Sequence, residues 1–358
     1  MIYIGKIGFF SAFILPSLVI SGTYLGGGWQ WLSVIFVFII IPLIDFWAGL
    51  DIHNVPAADR PILEGEFYYR FVTYLWVFVQ IGFLVWAIDV VASGQFSRAE
   101  LVLFIVSCGL VTGGIGITVA HELGHKKSKL EQFYSQVLLL SVCYMHFFIE
   151  HNRGHHVHVA TPEDPATARK HQNFYAFWLQ SVFVGYAHAW KIEGQILRNH
   201  NRSMYSLHNR MIWYTFMPFL ACAAAMLPYS SSSTIWLIPI FFFGQSVVAF
   251  TLLELVNYVE HYGIVRAEIA PGQFERVNPF HSWNASHLVS NFFLFQLQRH
   301  ADHHYNAVKR YQVLDHYDGS PQLPFGYPTM ILIALFPPLW FSIMNPRLTS
   351  FERSLATP

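Results

Sequence analysis

Six runs of about twenty apolar residues constrain this chain more than any other feature, because about 20 such residues in a helix cross a hydrocarbon core of roughly 30 Å. They fall at about 5–26, 29–50, 67–91, 99–120, 208–228 and 234–257. Inside a bilayer no water satisfies the backbone, so each run is expected as a helix. The runs pair into three hairpins. The turns at 22–30 and 228–234 hold no charge, and the turn at 92–98 holds only Arg98. Lysine and arginine otherwise collect in 57–70, 121–210 and 258–310, on the opposite side. The positive-inside rule makes that side cytoplasmic and places both termini there. The N-terminus has one lysine, then a long apolar run without a small-residue cleavage site, which reads as a retained membrane helix and not a signal peptide.

Composition agrees: 54% of residues are hydrophobic, only 12% are charged, and formal net charge is zero. About a quarter of residues are charged in ordinary soluble domains. A neutral balance gives no basic surface for nucleic acid. Cys108, Cys143 and Cys222 sit far apart inside apolar runs and read as core residues, with no disulfide framework. The polar stretches carry helical patterns of their own, Leu130 to Phe148 and Phe174 to Leu197. Segment 131–149 is expected as a re-entrant or interfacial helix. Pro328 to Met344, broken at Pro337-Pro338, is expected on the membrane surface. The fold class is therefore an all-α integral membrane protein in which 1–358 form one domain.

The polar regions also hold histidine clusters: HELGH (121–125), EHNRGHH (150–156), EHYG (260–263) and RHADHH (299–304). His121/His125, His151/His155 and His300/His304 are each four apart, a spacing that stacks both rings on one helix face within reach of a single ion. His156, His303 and His261 bring the set to nine. One ion takes six ligands or so at most, so nine imidazoles imply two metals. A lone histidine is usually an ordinary polar residue. Several at helical spacing near membrane ends carry a desolvation cost that metal binding removes.

HELGH also matches the HExxH pattern of zinc proteases, in which the glutamate activates water. A protease would leave six of the nine rings without a role. Glu122 is better read as an outer partner holding an imidazole N–H, as Glu150, Glu260 and Asp302 are for neighbouring rings. His146, His281 and His287 stand beside the motifs in supporting positions. Glu254 lies inside the last apolar run, where an ionisable group is costly and commonly functional. It either bonds a ligand ring or approaches a metal, or else it reaches water at the end of the span.

All-imidazole coordination suits Zn, Cu, Fe or Ni, so the ligands alone leave the metal open. HELGHK (121–126), FFIEHNRGHH (147–156), NYVEHYG (257–263), HSWNASH (281–287) and LQRHADHH (297–304) closely resemble the motifs of the AlkB-type membrane alkane monooxygenases. The resemblance runs over most of the chain and includes ATPEDPAT at 160–167. It implies a non-haem di-iron site of two Fe ions and terminal hydroxylation of medium-chain n-alkanes to 1-alkanols with O2. It also implies electrons from rubredoxin, with a rubredoxin reductase upstream, and residence in the bacterial cytoplasmic (inner) membrane. It carries the ligand role onto His121, His125, His151, His155, His156, His261, His300, His303 and His304, divided unequally, such as four and five.

The chain has no CxxC pair, so the donor is another polypeptide unless the sequence is part of a longer fusion. The cations Lys126, Lys127, Lys129, Arg299, Lys309 and Arg310 are expected to steer an acidic donor. Ile115, Gly116, Ile117 and Thr118, just before the first box, are expected to line a substrate channel, with Ile35 to Leu43 as the next wall. Three rivals remain open: a membrane fatty-acid desaturase or hydroxylase, a zinc intramembrane protease, and a metal transporter.

Overall fold

The computed structural model describes residues 6–356; residue 5, the expected start of the first span, lies outside them. Six helices are long and apolar enough to cross a membrane: Lys6–Leu25, Gly27–Ala48, Arg60–Ala92, Arg98–Gly124, Arg210–Tyr229 and Leu237–His261. They match the six apolar runs to within a few residues, with three instructive differences. The third run gains a leading turn, Arg60–Gly65, separated by the extended backbone of Glu66 from the long helix Phe67–Ala92. Glu66 forms an ion pair with Lys6, tying the start of the first span to the third. The fourth and sixth helices continue past their apolar stretches to carry His121 and His261 on intact backbone.

The fourth span is the axle of the bundle. In its apolar window 72% of the residues are buried, against 17% in the second span, which flanks the assembly. Close approach to the sixth span depends on glycine. A Cβ on Gly113 would lie 2.6 Å from Ala249 Cα, and one on Gly109 would lie 3.0 Å from the Gln245 carbonyl oxygen. Small residues set this crossing as they do between helices in lipid. Directly after Gly109 the helix widens into a π-helical stretch, Leu110–Ile117, which contains Gly113, and the second span does the same over Phe36–Ile40. π-helical turns are rare and concentrate at functional sites; these two face one cavity.

The helix expected over Leu130 to Phe148 divides. Its first part, Lys129–Ser141, folds back against the spans. There Ser135 donates to the Ala120 carbonyl (2.6 Å), Gln80 donates to Ser141 Oγ (2.8 Å), and Gln245 donates to the Ser141 carbonyl (2.9 Å). Cys143 then takes φ +55°, which no helix continues, and the chain re-enters a helix over 147–158. Residues 174–199 are helical and are capped by Asn173, whose side chain accepts from the Ala176 N–H. The first helix of the stretch 328–344, Tyr327–Ala334, packs against the sixth span, with Tyr327, Met330 and Ala334 fully buried. Pro337 and Pro338 open the next helix, Pro337–Ala356, where missing N–H groups cost nothing. Among the described residues one antiparallel hairpin occurs, Glu268–Ala270 with Gln273–Phe274, turned by Pro271 and Gly272 (φ +70°).

Candidate metal centre

All nine histidines of the four boxes meet at one end of the bundle, in two groups whose ligand-type atoms lie within 4.8 Å of one another. One group is His121, His125, His151, His156 and His303; the other is His155, His261, His300 and His304. The groups adjoin, with the His156 and His304 rings stacked at 4.3 Å. Two of the three i, i+4 pairs stay together. The third does not: His151 joins the first group and His155 the second. Residues His151–His155 form a π turn, not an α turn. The wider turn brings residues five apart onto one face, so His151 pairs with His156, their Nε2 atoms 3.0 Å apart.

Within each group the Nε2 atoms converge. His125 and His151 approach to 3.0 Å, His156 and His303 to 3.2 Å, His155 and His304 to 3.2 Å, and His261 and His300 to 3.1 Å. The Nε2 of His121 is buried with no partner. An imidazole nitrogen either donates or accepts, never both, so such clusters leave lone pairs facing one another. A cation at the centre of each group resolves that frustration. Burial, then the neighbouring imidazoles, push His151, His156, His300, His303 and His304 well below the ordinary histidine range, which keeps the rings neutral and their lone pairs available. His155 moves the other way. Burial is the largest single influence and opposes its charge, but the carboxylates of Asp164, Glu150 and Glu254 together outweigh it and raise it.

The outer partners only partly follow the expected pattern. Asp164, inside ATPEDPAT, stands 2.8 Å from His155 Nδ1 and is itself fixed by the Thr167 hydroxyl (2.6 Å) and the Ala166 N–H (3.0 Å). Its place nine residues after His155, among two prolines and two threonines, was the available signal. Glu260 Oε1 lies 3.2 Å from His300 Nδ1 and accepts from the Tyr327 hydroxyl (2.6 Å). The other carboxylates turn elsewhere. Glu122 meets Lys126 (3.0 Å), an i, i+4 pair, which also removes it from the water-activating role of a zinc protease. Glu150 meets His188 (3.2 Å), and Asp302 accepts from Lys309 (2.6 Å) and Tyr317 (2.9 Å), clamping the helix His300–Tyr305 from outside. Glu254 is 2% exposed, so it does not reach outside water, and it accepts from the Tyr144 hydroxyl (2.7 Å) and Asn257 (3.2 Å), not from a ligand ring. His146 packs on Tyr144, His281 pairs with Glu275, and His287 precedes the helix Leu288–Phe293; none joins either group.

An apolar cavity of about 90 Å³ ends at the centre, touching His121 and His151 of one group and His300 of the other. Its walls are the π-helical parts of the second and fourth spans, including Phe36, Val37, Gly114 and Ile117, closed by Leu252 and Val256 of the sixth. Thr118 donates its hydroxyl to the Gly114 carbonyl (2.7 Å), so it adds little polarity to the wall. Ile115 also lines the cavity, but Gly116 does not. A Cβ on Gly116 would lie 2.1 Å from Gln80 Oε1, so this glycine serves packing against the third span. Gly114 is the open position, since its Cβ would meet nothing within 4 Å.

The expected steering cations divide as well. Lys126 is buried, Arg299 is 3% exposed and donates to the carbonyls of Leu314, Asp51 and His53, Lys309 sits 2.6 Å from both Asp302 and Asp315, and Arg310 pairs with Glu131 at 3.0 Å. A cation neutralised at such distances projects little field. Lys127 and Lys129 are the exposed members of the six.

Comparison with known proteins places this arrangement among others. A family model described as "Fatty acid desaturase" matches residues 97–333. The chain is 45% identical over 325 residues to alkane 1-monooxygenase 2 of Pseudomonas aeruginosa, covering 90% of this chain and 85% of that one. It is 42% identical over 344 residues to alkane 1-monooxygenase 2 of Alcanivorax borkumensis, covering 96% and 87%. The xylene/toluene monooxygenase hydroxylase component of Pseudomonas putida is 26% identical over 349 residues.

Proposed function

The chain belongs to the alkane 1-monooxygenase family, and we propose that it hydroxylates the terminal carbon of medium-chain n-alkanes at a pair of non-haem irons. It is a membrane monooxygenase that acts on alkanes. The observation that supports the finer reading is the apolar cavity ending on both histidine groups. His121, His125, His151, His156 and His303 would hold one iron, and His155, His261, His300 and His304 the other. The metals would supply the activation of O2 and the attack on an unactivated methyl C–H bond.

The protein's own part is positional. The cavity walls admit a hydrocarbon that already partitions into lipid and hold its chain end-on, so that one terminal carbon faces the rings. Apolar walls keep bulk water from the reacting end. Asp164 orients His155 through their hydrogen bond, and Glu260 stands close to His300. In this reading 1–358 act as one integral domain in the bacterial cytoplasmic membrane, and the distribution of lysine and arginine supports a cytoplasmic histidine end. Rubredoxin, recharged by a rubredoxin reductase, would deliver electrons there, with Lys127 and Lys129 as the cations free to steer it.

Purified protein should hold about two irons per chain and convert octane and O2 to 1-octanol in the presence of reduced rubredoxin. One tightly held zinc, with unchanged turnover after iron depletion, would overturn the reading.

The cavity also yields a length prediction. Gly114→Phe should fill open space and shift the preferred alkane to shorter chains, lowering kcat/KM for the longest substrates by roughly tenfold or more. Gly116→Phe should instead displace Gln80 and damage folding. An unchanged chain-length profile in folded, iron-loaded Gly114→Phe would place the substrate elsewhere.

A further inference from the structure

The proposed reaction consumes protons as well as electrons. An alkane, O2, two electrons and two protons give an alkanol and water: C–H and O–O bonds break, and C–O and O–H bonds form. The cavity that ends on the rings cannot carry protons along its length, because side chains such as Phe36, Val37 and Leu252 offer water nothing to bind.

A second, much smaller internal pocket, of about 10 Å³, lies behind the first, and His151, Phe147 and Asn257 line both. Its character is opposite. Tyr144, His146, Glu150, Ser181 and Glu254 put polar atoms around it. At about 10 Å³ it has room for about one ordered water, which needs two to four polar partners. Its deepest ionisable group is Glu254, about seven residues or roughly 10 Å along the helix from His261. A carboxyl group at that depth is costly in a membrane helix, and bonds from Tyr144 and Asn257 do not require one there. At the outer end Glu150 meets His188 (3.2 Å), and His188 also stands in the wall of an open cleft with Arg153, His158 and Lys191. The polar groups thus run from an open surface to Asn257, beside the rings.

We propose that this polar cavity is the proton-delivery compartment of the centre and that Glu254 is its proton-relay residue. The inference rests on the monooxygenase reading above. Glu254 holds a proton on its carboxyl group and passes it, through water beside Asn257, to the oxygen atom that leaves as water. The carboxylate is then reprotonated by cavity water replenished from the cleft past the His188–Glu150 contact. Electrons come from the one-electron donor of the reaction and do not pass through Glu254.

The test uses the full chain, iron-loaded, as parent, Glu254→Gln, Glu254→Asp and Tyr144→Phe. Glu254→Gln should keep parental iron content yet lose about tenfold or more of its O2-driven hydroxylation. Its solvent deuterium isotope effect on kcat should rise, and hydrogen peroxide should be released in place of alkanol. Peroxide-driven hydroxylation brings its own protons and electrons, so there the same variant should stay within about twofold of the parent. Glu254→Asp should fall between. In metal-free protein, an infrared carboxyl band that shifts in D2O should be present in the parent and absent from Glu254→Gln. Equal loss by both routes with iron retained, or an unchanged isotope effect, overturns the relay, as does a missing or D2O-insensitive band. If Glu254→Gln loses iron, Glu254→Asp and Tyr144→Phe decide by the same isotope and peroxide readouts. A parent that binds iron but makes no alkanol removes the monooxygenase reading itself, and this inference with it.

Discussion

Alanine at His155 or at His303 is expected to abolish alkane hydroxylation, by more than about a hundredfold, while the protein still inserts in the membrane. The two positions probe different groups: His155 stands with His261, His300 and His304, and His303 with His121, His125, His151 and His156. Each variant should lose one iron and keep the six spans, because the helices form from apolar length and not from the metals. Removing His155 leaves three rings and a buried Asp164 carboxylate held only by Thr167 and Ala166. His303 contributes only its ring to its own group, so its loss should perturb the surroundings less. Metal analysis and alkanol yield on the same membrane preparations check both. Parental turnover with two irons retained in either variant would remove that histidine from the ligand set.

Asp164→Ala should lower metal affinity or turnover by about 10–100-fold. Its carboxylate is 2.8 Å from His155 Nδ1 in a fully buried contact, with side-chain exposures of 1% and 0%. Without it the ring N–H is stranded, at about 1–3 kcal/mol, and the ring is free to rotate off its lone-pair direction. Asp164→Asn should do less harm, since the amide oxygen still accepts. Glu163→Ala next door is the control. Its side chain is 62% exposed and pairs with His158, away from both histidine groups, so iron content and rate should stay parental. Equal effects at 163 and 164 would mean that the 160–167 loop matters as a whole and that the His155 contact does not.

The limits of reading the chain alone show in particular residues. Ile115 to Thr118 read as channel-wall residues beside the first box, while the neighbouring Gly114 is not among them. Which of them faces the cavity depends on helix phase, and a π-helical stretch from Leu110 to Ile117 shifts that phase. Gly114 therefore looks into open space and Gly116 into Gln80. His188 is the stronger case. It sits alone on a long helix, and only folding brings that helix back against Glu150. The cations Arg299 and Arg310 read as part of a steering patch because their partners Asp51 and Glu131 are far away in the sequence, whereas those of Lys126 and Lys309, Glu122, Asp302 and Asp315, lie within seven residues and only the fold turns them inward.

From sequence alone came the properties that depend on local composition: six membrane helices, since uninterrupted apolar length is sufficient for a span, and nine metal-type rings in four boxes, since ligand chemistry is carried by residue type. Tertiary structure decided everything that depends on phase and neighbours. It divided the rings five and four, because the π turn at His151–His155 pairs His151 with His156. It gave the ring-holding role to Asp164 and turned Glu122, Glu150 and Asp302 toward other partners. The reason is geometric: a side chain's type is written at one position, but what it touches is set by the rotation of its own helix and by chain segments that are distant in sequence.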